Sequence, residues 1–129
     1  MTLVDTSLSI GEAAERTGRS THTLRYYERE GLMLSDVDRA SSSHRRYSDS
    51  DITWVTFLTK LRSTAMPISR VRDYVELVRQ GDDSTPARLA LLEAHREAVL
   101  AQLEEMNHSL AAIEFKIATY QALCTEGTR

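Results

Sequence analysis

A single cysteine, Cys124, stands in the 129 residues, so no intramolecular disulfide can staple this chain, and such usage fits a reducing compartment. No apolar run approaches the roughly 18 residues of a membrane span, and the N-terminus shows no charged-then-apolar leader. A cytoplasmic protein is therefore expected, with no membrane partner. Catalytic signatures are missing too. There is no Gly-rich phosphate loop, no nucleophile elbow, and no His/Cys pair close in sequence. His95 and His108 lie too far apart along the chain to form a ligand pair. Asp49 and Asp51 suit a helix N-terminus better than acid/base chemistry. Neither enzyme nor metal site is expected, and no cofactor. Hydrophobic content of 41% fits an ordinary globular chain, with room for one domain and little for a separate ligand-binding module.

What is present is an asymmetry of charge. Residues 1–80 hold 12 basic and 11 acidic side chains, residues 81–129 only 4 against 8, and the chain is −3 overall. Between Arg16 and Arg46 seven arginines face four acids. A basic head on an acidic tail can approach a polyanionic duplex head-first.

The spacing predicts a mostly helical chain. Ser9 and Glu12 form an S-x-x-E capping box that opens a helix over 10–17, and Gly18 stops it. A second helix begins at Ser20 or Thr21 and runs to Gly31, which makes the pair a helix-turn-helix. Ala14 is the small residue expected where the helices cross, and Leu24 the apolar anchor. Residues 32–47 have no helical period, and Ser41-Ser42-Ser43 reads as the tip between two short extended arms. A third helix from Ser48 or Asp49 carries Ile52, Val55, Leu58 and Leu61 until Ala65-Met66-Pro67 breaks it. A fourth carries Ile68, Val71, Val75 and Val78 and ends at Gly81.

Thr85-Pro86 marks the last start, a capping hydroxyl followed by proline at the first helical position. No Gly or Pro follows until Gly127. Leu89, Leu92, Arg96, Val99, Leu103, Met106, Leu110, Ile113, Ile117, Tyr120 and Cys124 step by three and four throughout, a heptad seam with one polar member. Such a helix outruns anything the head could cover, so a second copy of the chain is expected to bury the seam. The heptads do not fix the orientation of the two helices. The organisation expected is a head over 8–80 and a coiled-coil helix over 85–124.

Taken together, Ser9-Ile10-Gly11-Glu12-Ala13-Ala14, Thr23-Leu24-Arg25-Tyr26-Tyr27-Glu28 with Gly31-Leu32, Arg45-Arg46-Tyr47-Ser48, and Leu61-Arg62 through Met66-Pro67-Ile68 resemble the MerR family of bacterial regulators. The resemblance spans residues 9–124. It implies a winged helix-turn-helix head and a long dimerisation helix that pairs antiparallel in a homodimer. It also implies binding to double-stranded promoter DNA of pseudo-palindromic sequence, with the spacer bent and untwisted to control access of RNA polymerase. Carried over position by position, it assigns DNA contacts to Thr21, His22, Arg25 and Tyr26 on the second helix. Arg39, His44, Arg45 and Tyr47 become wing positions, and Lys60 a second-wing phosphate contact. Leu92, Val99, Leu103, Met106, Leu110, Ile113 and Ile117 become the dimer seam. Beside these, Tyr27 reads as a packed residue sharing a face with Leu24, and Arg46 and Arg62 read as solvated arms.

Metal-sensing members place cysteines at the start of the long helix and after it, where this chain has Ala87, Arg88 and only Cys124. Drug-sensing members append a large domain, and nothing of that size is present here. The run Phe57 to Tyr74 is most similar to the short aldehyde- or electrophile-responsive members. Many of those carry a helix-three cysteine where Lys60 stands, and glycine where Ala65 stands. Any small effector is therefore of unidentified chemistry. Cys124 falls on the seam and reads as a packing thiol there, with a sensor thiol as the alternative. The rival from another class is a coiled-coil adaptor that uses its head to dock protein.

Overall fold

The Ser9/Glu12 box forms as the spacing predicts. Ser9 Oγ accepts from the Glu12 N–H at 3.2 Å, and Glu12 Oε1 accepts from the Ser9 N–H at 3.1 Å. The Ser9 backbone N–H, and after it the Ser9 hydroxyl, hold the Glu12 carboxyl below the ordinary range. From there α1 runs Ile10–Thr17, and Gly18 ends it in the left-handed region at φ 70°. The structure, a computed structural model, describes residues 7–34, 38–39 and 45–127.

After the turn, Ser20 caps α2 (Thr21–Arg29) by accepting from the Thr23 N–H at 3.1 Å. α3 (Asp49–Ser63) starts on a second capping box, Ser48 with Asp51, which the sequence reading took only as favourable charge. α4 spans Ile68–Arg79, a 3-10 turn Asp82–Ser84, and α5 Thr85–Glu126. Three short strands are present: β1 (Leu8–Ser9), β2 (Asp38–Arg39) and β3 (Arg45–Tyr47). β3 is central and antiparallel to both, pairing Leu8 with Tyr47 on one side and Arg39 with Arg45 on the other. The two extended arms are therefore strands. Their link to the residues ahead of α1 was not foreseen, because two residues are too few to show alternation.

The chain divides into two compact units, Met1–Leu91 and Leu92–Arg129. In the first, Ala13, Leu24, Tyr27, Tyr47, Val55, Leu58, Val71 and Val75 are buried. Ala13, not Ala14, is the small residue fully enclosed. Trp54 Nε1 donates to the Leu32 carbonyl at 2.8 Å, tying α3 to the end of α2. Arg79 of α4 donates to the carbonyls of Gly31 and Met33, and Arg72 pairs with Glu30. These bonds tie α4 to the stretch that follows α2.

The first unit extends past the expected limit of 80, because Leu91 on α5 is buried in it. Thr85 does not cap α5. Its hydroxyl donates to the Asp82 carbonyl at 2.7 Å, and the helix continues from the 3-10 turn. Ser84 Oγ donates to the Gly81 and Leu77 carbonyls while accepting from Arg88 Nε at 2.9 Å. In the second unit every side chain from Leu100 to Gly127 is exposed. No helix among the described residues is long and apolar enough to cross a membrane.

Candidate nucleic-acid interface

Leu24 and Tyr27 turn one face of α2 inward, which fixes the face that looks out. On the outward side His22 and Arg25 are exposed, and Thr21 and Tyr26 are half-buried. Positions 21, 22, 25 and 26 are helix neighbours at three- and four-residue steps, so these side chains share one patch. The patch lies toward the α2 N-terminus, where unpaired N–H groups and the helix dipole favour an anion.

The arginines of the first unit fall into two sets. Arg46 donates Nε to Ser7 Oγ at 3.1 Å and Nη2 to the Ser7 carbonyl at 2.6 Å, holding β1 against β3. Arg62 donates to the Met66 carbonyl at 2.7 Å across the α3–α4 corner. Neither is a merely solvated arm, which corrects the sequence reading. Arg72, Arg79 and Arg88 are likewise held by protein acceptors, and Arg70 pairs with Asp73. By contrast Arg16, Arg19, Arg25, Arg29 and Lys60 are exposed, and no side-chain bond to another described residue is seen for any of them. Four of these five sit on or beside the α1–α2 turn and the outward face of α2. Arg16, Arg19 and Arg29 were not singled out from the sequence, although Arg29 lies one turn beyond Arg25 and Arg19 directly precedes the Ser20 cap.

Tyr47 is corrected outright. Its side chain is wholly buried, with the hydroxyl donated to Glu28 Oε2 at 2.6 Å. It anchors the wing to α2 and has no surface to offer a duplex. Tyr27, read as packed, is buried. The backbones of Arg39 and Arg45 pair on the β2–β3 ladder, and His44 lies outside the described residues. Lys60 is exposed near the end of α3. Among the described residues no group of three His, Cys, Asp or Glu side chains could hold a metal ion.

On α5 the seam is left open. Leu89, Leu103, Met106, Leu110, Ile113, Ile117 and Tyr120 are exposed, and Leu92 and Val99 half-buried. Cys124 is an exposed free thiol in the single chain. The residue of early α5 that the first unit buries is Leu91, off the seam.

A helix-turn-helix with a strand pair and an uncommitted cationic face defines a winged helix-turn-helix head of the DNA-binding class. The comparisons agree. The profile of the MerR HTH family regulatory proteins matches residues 8–77. An uncharacterized HTH-type transcriptional regulator of Haemophilus influenzae is 37% identical over 110 residues, covering 85% of this chain and 81% of its own. AdhR, an HTH-type transcriptional regulator of Bacillus subtilis, is 33% identical, covering 72% and 66%. Among solved structures, HiNmlR, a MerR family regulator lacking the sensor domain and bound to promoter DNA, superposes with a TM-score of 0.81 at 35% identity, covering 90% and 91%. The chain belongs to the MerR family of helix-turn-helix regulators. It is a DNA-binding transcription regulator and not an enzyme.

Proposed function

We propose that the chain works in the cytoplasm as a homodimer whose α5 helices pair antiparallel. Its two heads bind the half-sites of a pseudo-palindromic promoter and distort the spacer, and so control access of RNA polymerase. In each head Thr21, His22, Arg25 and Tyr26 enter the major groove, where Arg25 can fork onto guanine or phosphate. Arg39, His44 and Arg45 of the wing and Lys60 of α3 contact the backbone. Arg16, Arg19 and Arg29 add charge on the same side.

The observation that carries this reading is the seam. A 42-residue helix that leaves Leu103, Leu110, Ile113 and Ile117 about half exposed has apolar area to bury. Each such side chain contributes roughly 1.5–3 kcal/mol when fully enclosed. Arg96 supports the antiparallel sense. Parallel pairing in register would set it against its own copy, whereas layering Leu103 on Met106 of the other chain sets it against Ile113. There its stem can lie on the apolar side chain while its head stays with Glu93 and Glu97, 4.0 and 3.7 Å away.

Sedimentation of the parent chain at micromolar concentration should show a dimer, and Leu110→Glu should shift it to monomer. A charge enclosed in the seam without a partner costs several kcal/mol. Gel-shift of the parent on duplexes from its own upstream region should show retention that scrambled duplex does not compete away. A monomeric parent, or retention equal on scrambled duplex, would sink the proposal and favour a protein adaptor.

A further inference from the structure

The residues that close α2 and lead toward the wing, Glu30 to Met33, each have an acceptor taken by a side chain of another helix. Glu30 pairs with Arg72. The Gly31 carbonyl accepts from Arg79 Nη2 at 2.6 Å, the Leu32 carbonyl from Trp54 Nε1 at 2.8 Å, and the Met33 carbonyl from the same Arg79 nitrogen. Arg72 and Arg79 lie on α4 and Trp54 on α3. Leu32 and Met33 are also buried. A stretch with no helix or strand of its own is thus gripped residue by residue.

Arg72 and Arg79 are two helical turns apart, so they lie along one face of α4. That helix is itself fixed, with Val71 and Val75 in the core and Arg62 of α3 donating to the Met66 carbonyl ahead of it. Bonds from a guanidinium are the shorter and stronger kind. On the wing side, the Tyr47 hydroxyl donates to Glu28 Oε2 at 2.6 Å. The clamp therefore holds the far end of α2, while Thr21, His22, Arg25 and Tyr26 occupy its first turns. A tilt of about 10° at Gly31 would move Arg25, roughly 9 Å along the axis, by about 1.5 Å. A flexible arm on phosphate can follow such a shift. A two-point bond to a base edge cannot, because hydrogen-bond distances tolerate only a few tenths of an ångström.

We propose that Arg79, supported by Arg72, is a positioning residue for sequence selectivity: it touches no DNA and sets the angle at which α2 meets the base edges. This rests on the major-groove docking of α2 proposed above. It adds that the choice among sequences depends on α4 as well as on the contact face.

The full-length parent and Arg79→Gln are titrated against the duplex retained from the upstream region and against its scrambled version, at several salt concentrations. Glutamine lacks the charge and the fork, so it cannot serve both carbonyls. The ratio of the two affinities should fall by about fivefold or more, the worth of one misaligned two-point base contact, with the salt slope unchanged. Loss of one cation weakens the field on both duplexes alike, and partial unfolding lowers both affinities by one folded fraction, so neither moves the ratio. An unchanged ratio overturns the proposal. So does a slope flattened on both duplexes, which would make Arg79 a phosphate contact. Arg72→Glu is a second arm, decisive even where Arg79→Gln does not fold. It should narrow the ratio, and adding Glu30→Arg, which rebuilds the pair with its charges exchanged, should restore it. No narrowing, or narrowing without restoration, overturns the proposal. Failure of the underlying reading looks different: a parent chain with no preference for the upstream duplex removes the docking itself.

Discussion

Ala65 should be improved by the smallest possible change. It sits at φ 72°, among the described residues the one non-glycine with a positive φ. It closes α3 in a Schellman arrangement: the Ala65 N–H donates to the Arg62 carbonyl at 3.0 Å and the Met66 N–H to the Leu61 carbonyl at 3.0 Å. A Cβ in the left-handed region costs roughly 1–2 kcal/mol, and glycine removes it. Glycine also gives the unfolded chain more freedom, which takes back about 0.4–1 kcal/mol. Ala65 is exposed, so no packing is lost. The net expectation for Ala65→Gly is a gain of ~0.5–1 kcal/mol, or about 0.3–0.5 M in the urea midpoint for a slope near 2 kcal/mol/M. Urea unfolding followed by circular dichroism, at one fixed protomer concentration because a dimer's midpoint depends on it, measures this. Gly18→Ala is the mirror control. Gly18 has φ 70° and nothing within 4 Å of a built Cβ, so its loss should reflect backbone strain alone. A midpoint that falls for Ala65→Gly while Gly18→Ala also destabilises would refute the reasoning, because one conformational penalty would then have two signs.

Three further substitutions separate contact from scaffold. If each head neutralises about four phosphates, the slope of log affinity against log salt should be near −7, from roughly −0.9 per phosphate. Arg45→Ala, at the proposed backbone clamp, should flatten the slope by about one unit per head on any sequence. Arg25→Ala should cost roughly 1–3 kcal/mol per half-site and narrow the gap between operator and scrambled duplex. Titrations at several salt concentrations show both, and a slope and gap unmoved by either change would remove the winged helix-turn-helix docking. Tyr47→Phe removes the hydroxyl that Glu28 accepts and should lower stability by about 1–2 kcal/mol with no change in the salt slope. A flattened slope for Tyr47→Phe would return Tyr47 to the interface.

The helices were legible because each carries its own punctuation. Ser9 with Glu12, Gly18, Ser48, Pro67 and Gly127 mark ends by local chemistry, and periodicity fills the interval. The seam of α5 was legible for the same reason. What one dimension hides is which of two like residues a third element covers. Ala13 and Ala14 are adjacent, and only the docking of α1 encloses the first. Tyr26 and Tyr27 differ in the same way, and there the Leu24 spacing sufficed. Tyr47 was misassigned because its motif says where the residue lies along the wing and not which side of the strand it takes. Pairing of Leu8 with Tyr47 and the reach of Glu28 decide that. Thr85 was misread because the 3-10 turn before it has only three residues, below any periodic signal.

The arginines show how the site and the fold divide one composition. A near-neutral head would seem a weak ligand for DNA if its cations were spread evenly. Pairing within the protein instead spends one set on backbone carbonyls and acids: Arg46 on Ser7, Arg62 on Met66, Arg72 on Glu30, Arg79 on Gly31 and Met33, Arg88 on Gly81. Each of those bonds joins or ends an element, so each holds the geometry by which α2 is presented. Glu28 and Glu30, the two acids on and just after α2, are turned to Tyr47 and Arg72. The outward face of α2 and its turn therefore keep Arg16, Arg19, Arg25 and Arg29 with little acid opposing them. The net charge of the head understates the field at that face, and the field at that face is what a duplex meets.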